Sequence, residues 1–246
     1  MSRCVVNVAM GRRWAQSYVK GQDRLHAALK VMPEEWDSLH FYTNGYPIGC
    51  PLHRDVPFAF KAYALKEASS QANLLLWCDS CIIPIRPLEE IWRRAQLFGV
   101  WLGKNGWKNS DWTAQEAIGD LFPGVPIEKA RQLNTGIEHV VATAFALDLE
   151  HPNGRDFLKE YFRLASETRA FCGPISNSNH PEKQWSGDAA KCAPCGPPDV
   201  RGHRHDQTAA SVIAWRLGIQ LTDPPHLFSY PGNETEKTVL VADGAY

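Results

Sequence analysis

One stretch constrains this chain more than any other: Leu74-Leu-Leu-Trp-Cys78-Asp79-Ser80-Cys81-Ile-Ile-Pro84. An unbroken apolar run of this kind reads as a strand buried on both faces of a parallel or mixed sheet. The run stops at an aspartate. A carboxylate inside the sheet would be costly to desolvate, which places Asp79 at the strand's end. In open α/β sheets the ligand crevice lies beyond the carboxyl ends of the strands. Asp79 is therefore the first candidate for chemistry, where hard oxygen ligands suit Mg2+ or Mn2+ gripping a diphosphate. The ordinary alternative is an aspartate that only caps or turns the chain.

The segments around this strand alternate in period. Arg3 to Val8 forms a short β-branched run, and Trp14, Tyr18, Leu25, Leu29 and Met32 then follow helical spacing up to Pro33. Leu39 to Thr43 reads as a strand. Pro57 is placed as the first residue of a helix to about Gln71, with Phe60, Tyr63, Ala64 and Ala68 inward. A second proline, Pro87, opens a helix to about Leu97, and Phe98 to Leu102 is strand-like. Strands alternating with helices of these lengths predict an α/β fold, a three-layer sandwich around a central mixed, mostly parallel sheet.

The later part is less regular. Thr113-Ala-Gln-Glu116 has the form of a capping box that starts a short helix. Ile137 to Leu149 predicts one or two strands, and Asn153 to Ser166 a helix. Residues 172–205 are rich in Gly, Pro, Ser, Asn and charge, the composition of a functional loop. Asp206 then opens a helix to Leu217, ended by Gly218, and Ile219 to Leu221 suits a last strand. No linker interrupts the 246 residues. They are expected to form one domain: a nucleotide-binding half over about 1–103, an acceptor-side half over about 104–230 and a peripheral tail over 231–246.

Composition excludes several partners. A formal charge of −1 is far from the basic excess of a nucleic-acid binder. No run of about 18 apolar residues suggests a membrane span. Seven cysteines, an odd number in a chain of this size, fit a reducing compartment and a cytoplasmic location.

Further candidates gather at loop and helix boundaries. Gly202-His203-Arg204-His205-Asp206-Gln207 crowds two imidazoles, a guanidinium, a carboxylate and an amide at one helix start. Asp206 also suits an ordinary N-cap, but a cap needs only one of these residues, and the free N–H groups there favour anions. Asn134 in Asn134-Thr-Gly136 offers an amide to sugar hydroxyls, or marks only a turn. Lys61, Arg12 and Arg13 are cations near strand ends that suit phosphates, or are simply solvated. Trp107 and Trp112, interleaved with Lys104, Asn105 and Asn109, read either as a carbohydrate-stacking loop or as a small satellite core. Cys192-x2-Cys195 with Cys172, His203 and His205 allows a zinc site, although the spacing matches no common finger.

Taken in order, these motifs resemble a GT-A-type nucleotide-sugar glycosyltransferase. The set is Val8-Ala-Met-Gly11, Pro57-Phe-Ala-Phe-Lys61-Ala-Tyr-Ala-Leu-Lys-Glu67, Leu75-Leu-Trp-Cys-Asp79-Ser-Cys81, Leu133-Asn-Thr-Gly136 and Arg204-His-Asp-Gln207-Thr. It is similar to the retaining, galactosyltransferase-like and glycogenin-like group. The segment from Gly99 to Glu116 also resembles glycosyltransferases of large DNA viruses.

The resemblance implies a role for each matched position. Met10, Gly11 and Arg12 would cradle the nucleotide, and Lys61 would meet its diphosphate. Asp79 would hold Mn2+ or Mg2+, with His203 as a further ligand. Asn134, Asp206 and Gln207 would surround the transferred sugar, Asp206 and Gln207 as catalytic residues, while Trp112 and His205 would contact substrate. The implied partners are a nucleotide-diphosphate sugar donor and a glycan or other hydroxyl acceptor. Where that family has Asp-x-Asp, this chain has Asp79-Ser80-Cys81, so the second carboxylate is missing. A nucleotidyltransferase, or a non-catalytic glycan-binding protein on the same fold, remains the alternative.

Overall fold

The structure is a computed structural model that describes residues 1–10, 16–175, 200–223 and 227–244. Its centre is a five-stranded mixed sheet in the order β2-β1-β3-β6-β5. The strands are β1 (Arg3–Ala9), β2 (Ser38–Thr43), β3 (Leu74–Cys78), β5 (Val100–Lys108) and β6 (Glu138–Asp148). Strands β2 and β3 flank β1 in parallel, whereas β6 runs antiparallel to both β3 and β5. All five residues of β3 are buried, as an apolar run without alternation requires.

Helices cover both faces. On one side α2 (Ala59–Ala68), α6 (Pro152–Glu167) and α7 (His205–Arg216) pack on Val6, Leu75, Trp77, Phe145 and Leu147. On the other, α1 (Gln16–Lys30) and α3 (Glu89–Phe98) pack on Val5, Leu74, Leu76 and Trp101. Adjacent residues of β1 and β3 thus enter opposite cores, the period-two consequence of a sheet covered on both sides. Two short helices, α4 (Gln115–Leu121) and α5 (Ile127–Asn134), complete the first layer.

Several sequence expectations are corrected. Helix α2 starts at Ala59 rather than Pro57, because Phe58 takes a left-handed backbone (φ 61) that a helix interior excludes. The capping box at Thr113–Glu116 does not form. The Thr113 hydroxyl donates to the Asn109 carbonyl instead, and the N-cap position falls on Ala114. Ile219 to Leu221 is no strand; only Thr222 bridges to Gly103. The tail is not peripheral. Its β8 (Leu240–Ala242) is the middle strand of a small sheet, between β4 (Ile82–Pro84) and β7 (Phe228–Ser229), and Leu240 is fully buried.

Strand β6 carries the irregularity that matters for the site. Trp101 of β5 pairs with Ala146, yet Gly103 pairs with Val141, so β6 holds extra residues between the two points. That bulge turns backbone carbonyls of β6 toward the end of β3.

Candidate active site

A cleft of about 150 Å³ opens beyond the end of β3, lined by Phe58, Lys61, Asp79, Thr143, Ile175 and residues 203–207. The sequence's strand-end and helix-start aspartates both lie in this lining.

At its floor lies a buried ammonium between two carboxylates. Lys61 Nζ stands 2.9 Å from Asp79 Oδ1 and 2.8 Å from Asp206 Oδ2. It also donates to the Ala142 carbonyl at 2.9 Å, one of the groups the β6 bulge releases. The Lys61 side chain is 3% exposed, so all its charge is spent inside the protein. Burial alone would lower its pKa, but Asp206 and Asp79 outweigh that and raise it. The aromatic rings of Phe58 and Trp77 lie 5.3 and 5.5 Å from Nζ and close its remaining sides.

Asp79 is the more open of the two acids, with its side chain 28% exposed. Trp77 Nε1 donates to its Oδ1 at 2.8 Å. Trp77 stands two residues earlier, on the same face of the strand, which brings its indole beside the carboxylate. The Asp79 amide donates to Thr143 O, extending the β3–β6 ladder. Behind it, Asn7 of β1 donates to Cys78 O at 2.6 Å and to Ser80 Oγ at 3.3 Å, and Gln22 donates to Asn7 Oδ1. Asn7 thereby fixes the turn that carries Asp79. Its only signal in the sequence is a single amide inside the apolar run of β1.

Asp206 is the second residue of α7, not its cap. It is 3% exposed, and burial pushes its carboxyl up to about 6; Lys61 pulls the other way, and Asp79 adds a further upward push. Its Oδ2 receives no hydrogen bond from the described residues, so the contact with Lys61 is an ion pair off hydrogen-bond alignment. The residue before it, His205, is in the left-handed region (φ 47). Only three described non-glycine residues have positive φ, and two of them, Phe58 and His205, line this cleft and pack ring to ring at 5.6 Å. Phe58 caps the helix that delivers Lys61, and His205 is the first residue of the helix that delivers Asp206. Strained backbone of this kind persists where the surroundings over-determine it, commonly at functional sites.

The remaining sequence candidates divide. Gln207 and His205 line the cleft, and Arg204, grouped with them in the sequence but given no role of its own, does too. His203 also borders it, but both ring nitrogens are taken. Nδ1 accepts from the Ala114 amide at 3.1 Å and Nε2 faces the Ala170 carbonyl at 2.9 Å. Burial lowers its pKa to about 4, so it is neutral with no lone pair left for a metal, contrary to the expectation. Asn134 is a second correction. It is 1% exposed, accepts from Asn109 Nδ2 and donates to Thr113 Oγ1, and is absent from the cleft lining. Trp112 is no open stacking platform, since the Arg204 guanidinium lies 4.4 Å over its ring and Trp107 packs at 5.0 Å. Met10 does not line the cleft. Gly11, Arg12, Arg13, Cys192 and Cys195 lie outside the described residues.

The described residues do not fit a divalent cation. A hard cation at a phosphate site needs at least one or two uncommitted carboxylates, with waters and phosphate oxygens completing its shell. Here Asp79 already accepts from Trp77 and Lys61, Ser80 is buried against Asn7, and Cys81 supplies soft sulfur. No group of three His, Cys, Asp or Glu side chains among the described residues is arranged to hold a metal ion.

No protein-family model matches the chain, and no curated protein matches it in sequence. Solved structures do. A glycosyltransferase involved in glycosylation of the major capsid of the virus PBCV-1 is 10% identical, with a TM-score of 0.42 over 98% of this chain and 92% of that one. A mutant of the Drosophila β-1,4-galactosyltransferase 7, in complex with manganese, UDP-Gal and xylobiose, is 12% identical, with a TM-score of 0.41 over 97% of this chain and 69% of that one. Mouse xyloside xylosyltransferase 1 is 9% identical, with a TM-score of 0.49 over 100% of this chain and 98% of that one. At such identities the roles of residues rest on the geometry of the site itself. Among the described residues no helix is long and apolar enough to cross a membrane.

Proposed function

We propose that this protein transfers a sugar from a nucleotide-diphosphate sugar to a hydroxyl acceptor. One observation carries the reading. Asp79 and Asp206, far apart in the chain, meet across a buried Lys61 at the floor of a cleft beyond a sheet end, with Arg204 beside them. Glycosyl transfer breaks the bond between the anomeric carbon and the diphosphate oxygen and forms one to the acceptor oxygen. Positive charge grows on the carbon and negative charge on the leaving group. A fixed carboxylate suits the first and fixed cations suit the second, the electrostatic arrangement that lowers such barriers.

Asp206 is the carboxylate assigned to the reacting carbon. With its carboxyl near 6 it is ionised at neutral pH yet close enough to the operating range to take a proton. In an inverting reaction it accepts the acceptor hydroxyl's proton; in a retaining one that proton leaves with the diphosphate and Asp206 stabilises the oxocarbenium-like carbon. Gln207, next along the helix, orients the sugar. Donor-side residues come from the first part of the chain and acceptor-side residues from about 104 onward, acting as one domain. The thiols of Cys4, Cys50 and Cys78 suit a reducing, cytoplasmic setting.

The test is a panel of nucleotide sugars with mixed glycan and small hydroxyl acceptors, followed by release of nucleoside diphosphate and by product mass. Transfer that Asp206→Asn abolishes supports the assignment. Release of pyrophosphate from nucleoside triphosphates points instead to a nucleotidyltransferase. Donor binding without turnover against any acceptor points to a binding protein.

A further inference from the structure

The two cations of the cleft are not equivalent, and the difference bears on how a diphosphate is held. Lys61 is the residue that the sequence assigns to phosphate, yet its ammonium contacts Asp79, Asp206 and the Ala142 carbonyl, and its side chain is only 3% exposed. With hydrogen bonds to Asp79 and the Ala142 carbonyl and the Asp206 carboxylate 2.8 Å away, its charge is already engaged inside the protein. It also fills the gap between the two carboxylates that line the cleft among the described residues. A dication entering there would meet the Lys61 charge head on.

Arg204 is the opposite case. It lines the cleft, and its guanidinium lies 4.4 Å over Trp112 and 5.4 Å from Trp107. Its Nε is buried with no hydrogen-bond partner, and no carboxylate among the described residues lies within ion-pair distance of it. Stacking on two indoles fixes the plane of the guanidinium without using any N–H group. A half-buried arginine held flat with its donors unspent is matched to a phosphate, which takes parallel N–H bonds from such a fork.

We infer that this site holds the diphosphate of its donor without a divalent cation: Lys61 is the resident positive charge between Asp79 and Asp206, and Arg204, stacked on Trp112, anchors the leaving phosphate. The inference rests on the transferase reading for the identity of the anion. Its account of the gap between the carboxylates does not.

The test uses the full chain and two kinds of probe. Mn2+ alone is titrated and followed by the paramagnetic resonance of the free ion, and UDP and GDP are titrated calorimetrically in EDTA and again in excess Mn2+. Wild-type protein is expected to leave the Mn2+ signal unchanged and to bind diphosphate with the same affinity in both buffers. Arg204→Ala should weaken diphosphate binding by about tenfold or more in either buffer, as loss of a charge-assisted bond implies. Arg204→Lys should recover part of that loss, which a merely structural stacking role would not produce. Lys61→Met should acquire Mn2+ binding; should it fail to fold, wild type against Asp79→Asn decides the point. Mn2+ binding by wild type that Asp79→Asn removes, or diphosphate binding that EDTA abolishes, overturns the proposal. Absence of diphosphate binding in both buffers overturns the transferase reading and the Arg204 anchor together, while the nucleotide-free Mn2+ titration still decides the gap.

Discussion

Lys61 and Arg204 border one cleft but are held by opposite means. The lysine comes from the first turn of a helix, is sealed by aromatic rings and is neutralised by two acids and a carbonyl. The arginine stands at a helix entrance, is half-buried, and leans on indoles that leave its donors unspent. A charge that is fully paired shapes the protein around it, whereas a charge that is held but unpaired is kept for something else. Charge alone does not distinguish these roles; the accounting of donors and acceptors does.

The largest expected effect strikes the paired side. Lys61→Met leaves two carboxylates facing each other in a poorly solvated floor. It should cost about 3–5 kcal/mol, the usual result of removing one partner from a buried ion pair. Urea denaturation measures it, and a loss below 1 kcal/mol, the range of exposed pairs, would break the contrast with Arg204.

Next is Asp206→Asn, expected to lower turnover by about 10²–10⁴-fold, the range of a positioned acid–base or charge-stabilising group. Wild-type activity should rise with pH through about 6, as the carboxylate forms, and that limb should vanish in the variant. The stability sign is the reverse. Because the folded state raises this pKa, its proton favours folding below the ordinary aspartate value of 3.8, and that contribution is gone once pH passes about 6. Asp206→Asn should therefore leave thermal stability at pH 7.5 undiminished while activity collapses; a parallel fall in both would assign Asp206 to the scaffold.

A smaller effect is expected from Trp77→Phe. It removes the Nε1 donor to Asp79 while keeping most of the packing, for a cost of about 1.5–3 kcal/mol typical of a hydrogen bond to a charged group. The smallest is Trp112→Phe, which keeps a face for Arg204 with a weaker quadrupole. It should change stability by about 0.5–1 kcal/mol and weaken diphosphate binding more than it changes Tm.

The strand at Leu74–Cys78 and its terminal aspartate were legible because an unbroken apolar run has one good home in an α/β protein. Asp206 was legible as a member of a cluster too crowded for a cap. What sequence spacing hid was the pairing that uses up a group. Asn134 looked available to a sugar, but its amide is held by Asn109 and Thr113, residues whose proximity only the folded chain creates. Thr113 fitted a capping box until that same network claimed it. Strand β8 was missed because its antiparallel partner β4 lies far upstream, and three residues carry no period of their own. Arg204 was visible, but its distinction from Lys61 lies in contacts with Trp107 and Trp112 that no local pattern announces.

The bulge in β6 has a bearing on how this site can drift over generations. Between Val141 and Ala146 the chain contributes main-chain oxygens to the floor, Ala142 O to Lys61 and Thr143 O to the Asp79 amide. Main-chain atoms are indifferent to which small or apolar letters spell the segment, but not to how many there are. Substitutions along this span should be forgiven where packing allows. A deletion long enough to draw the strand back into even register would withdraw both oxygens at once. Here the inherited quantity is a length.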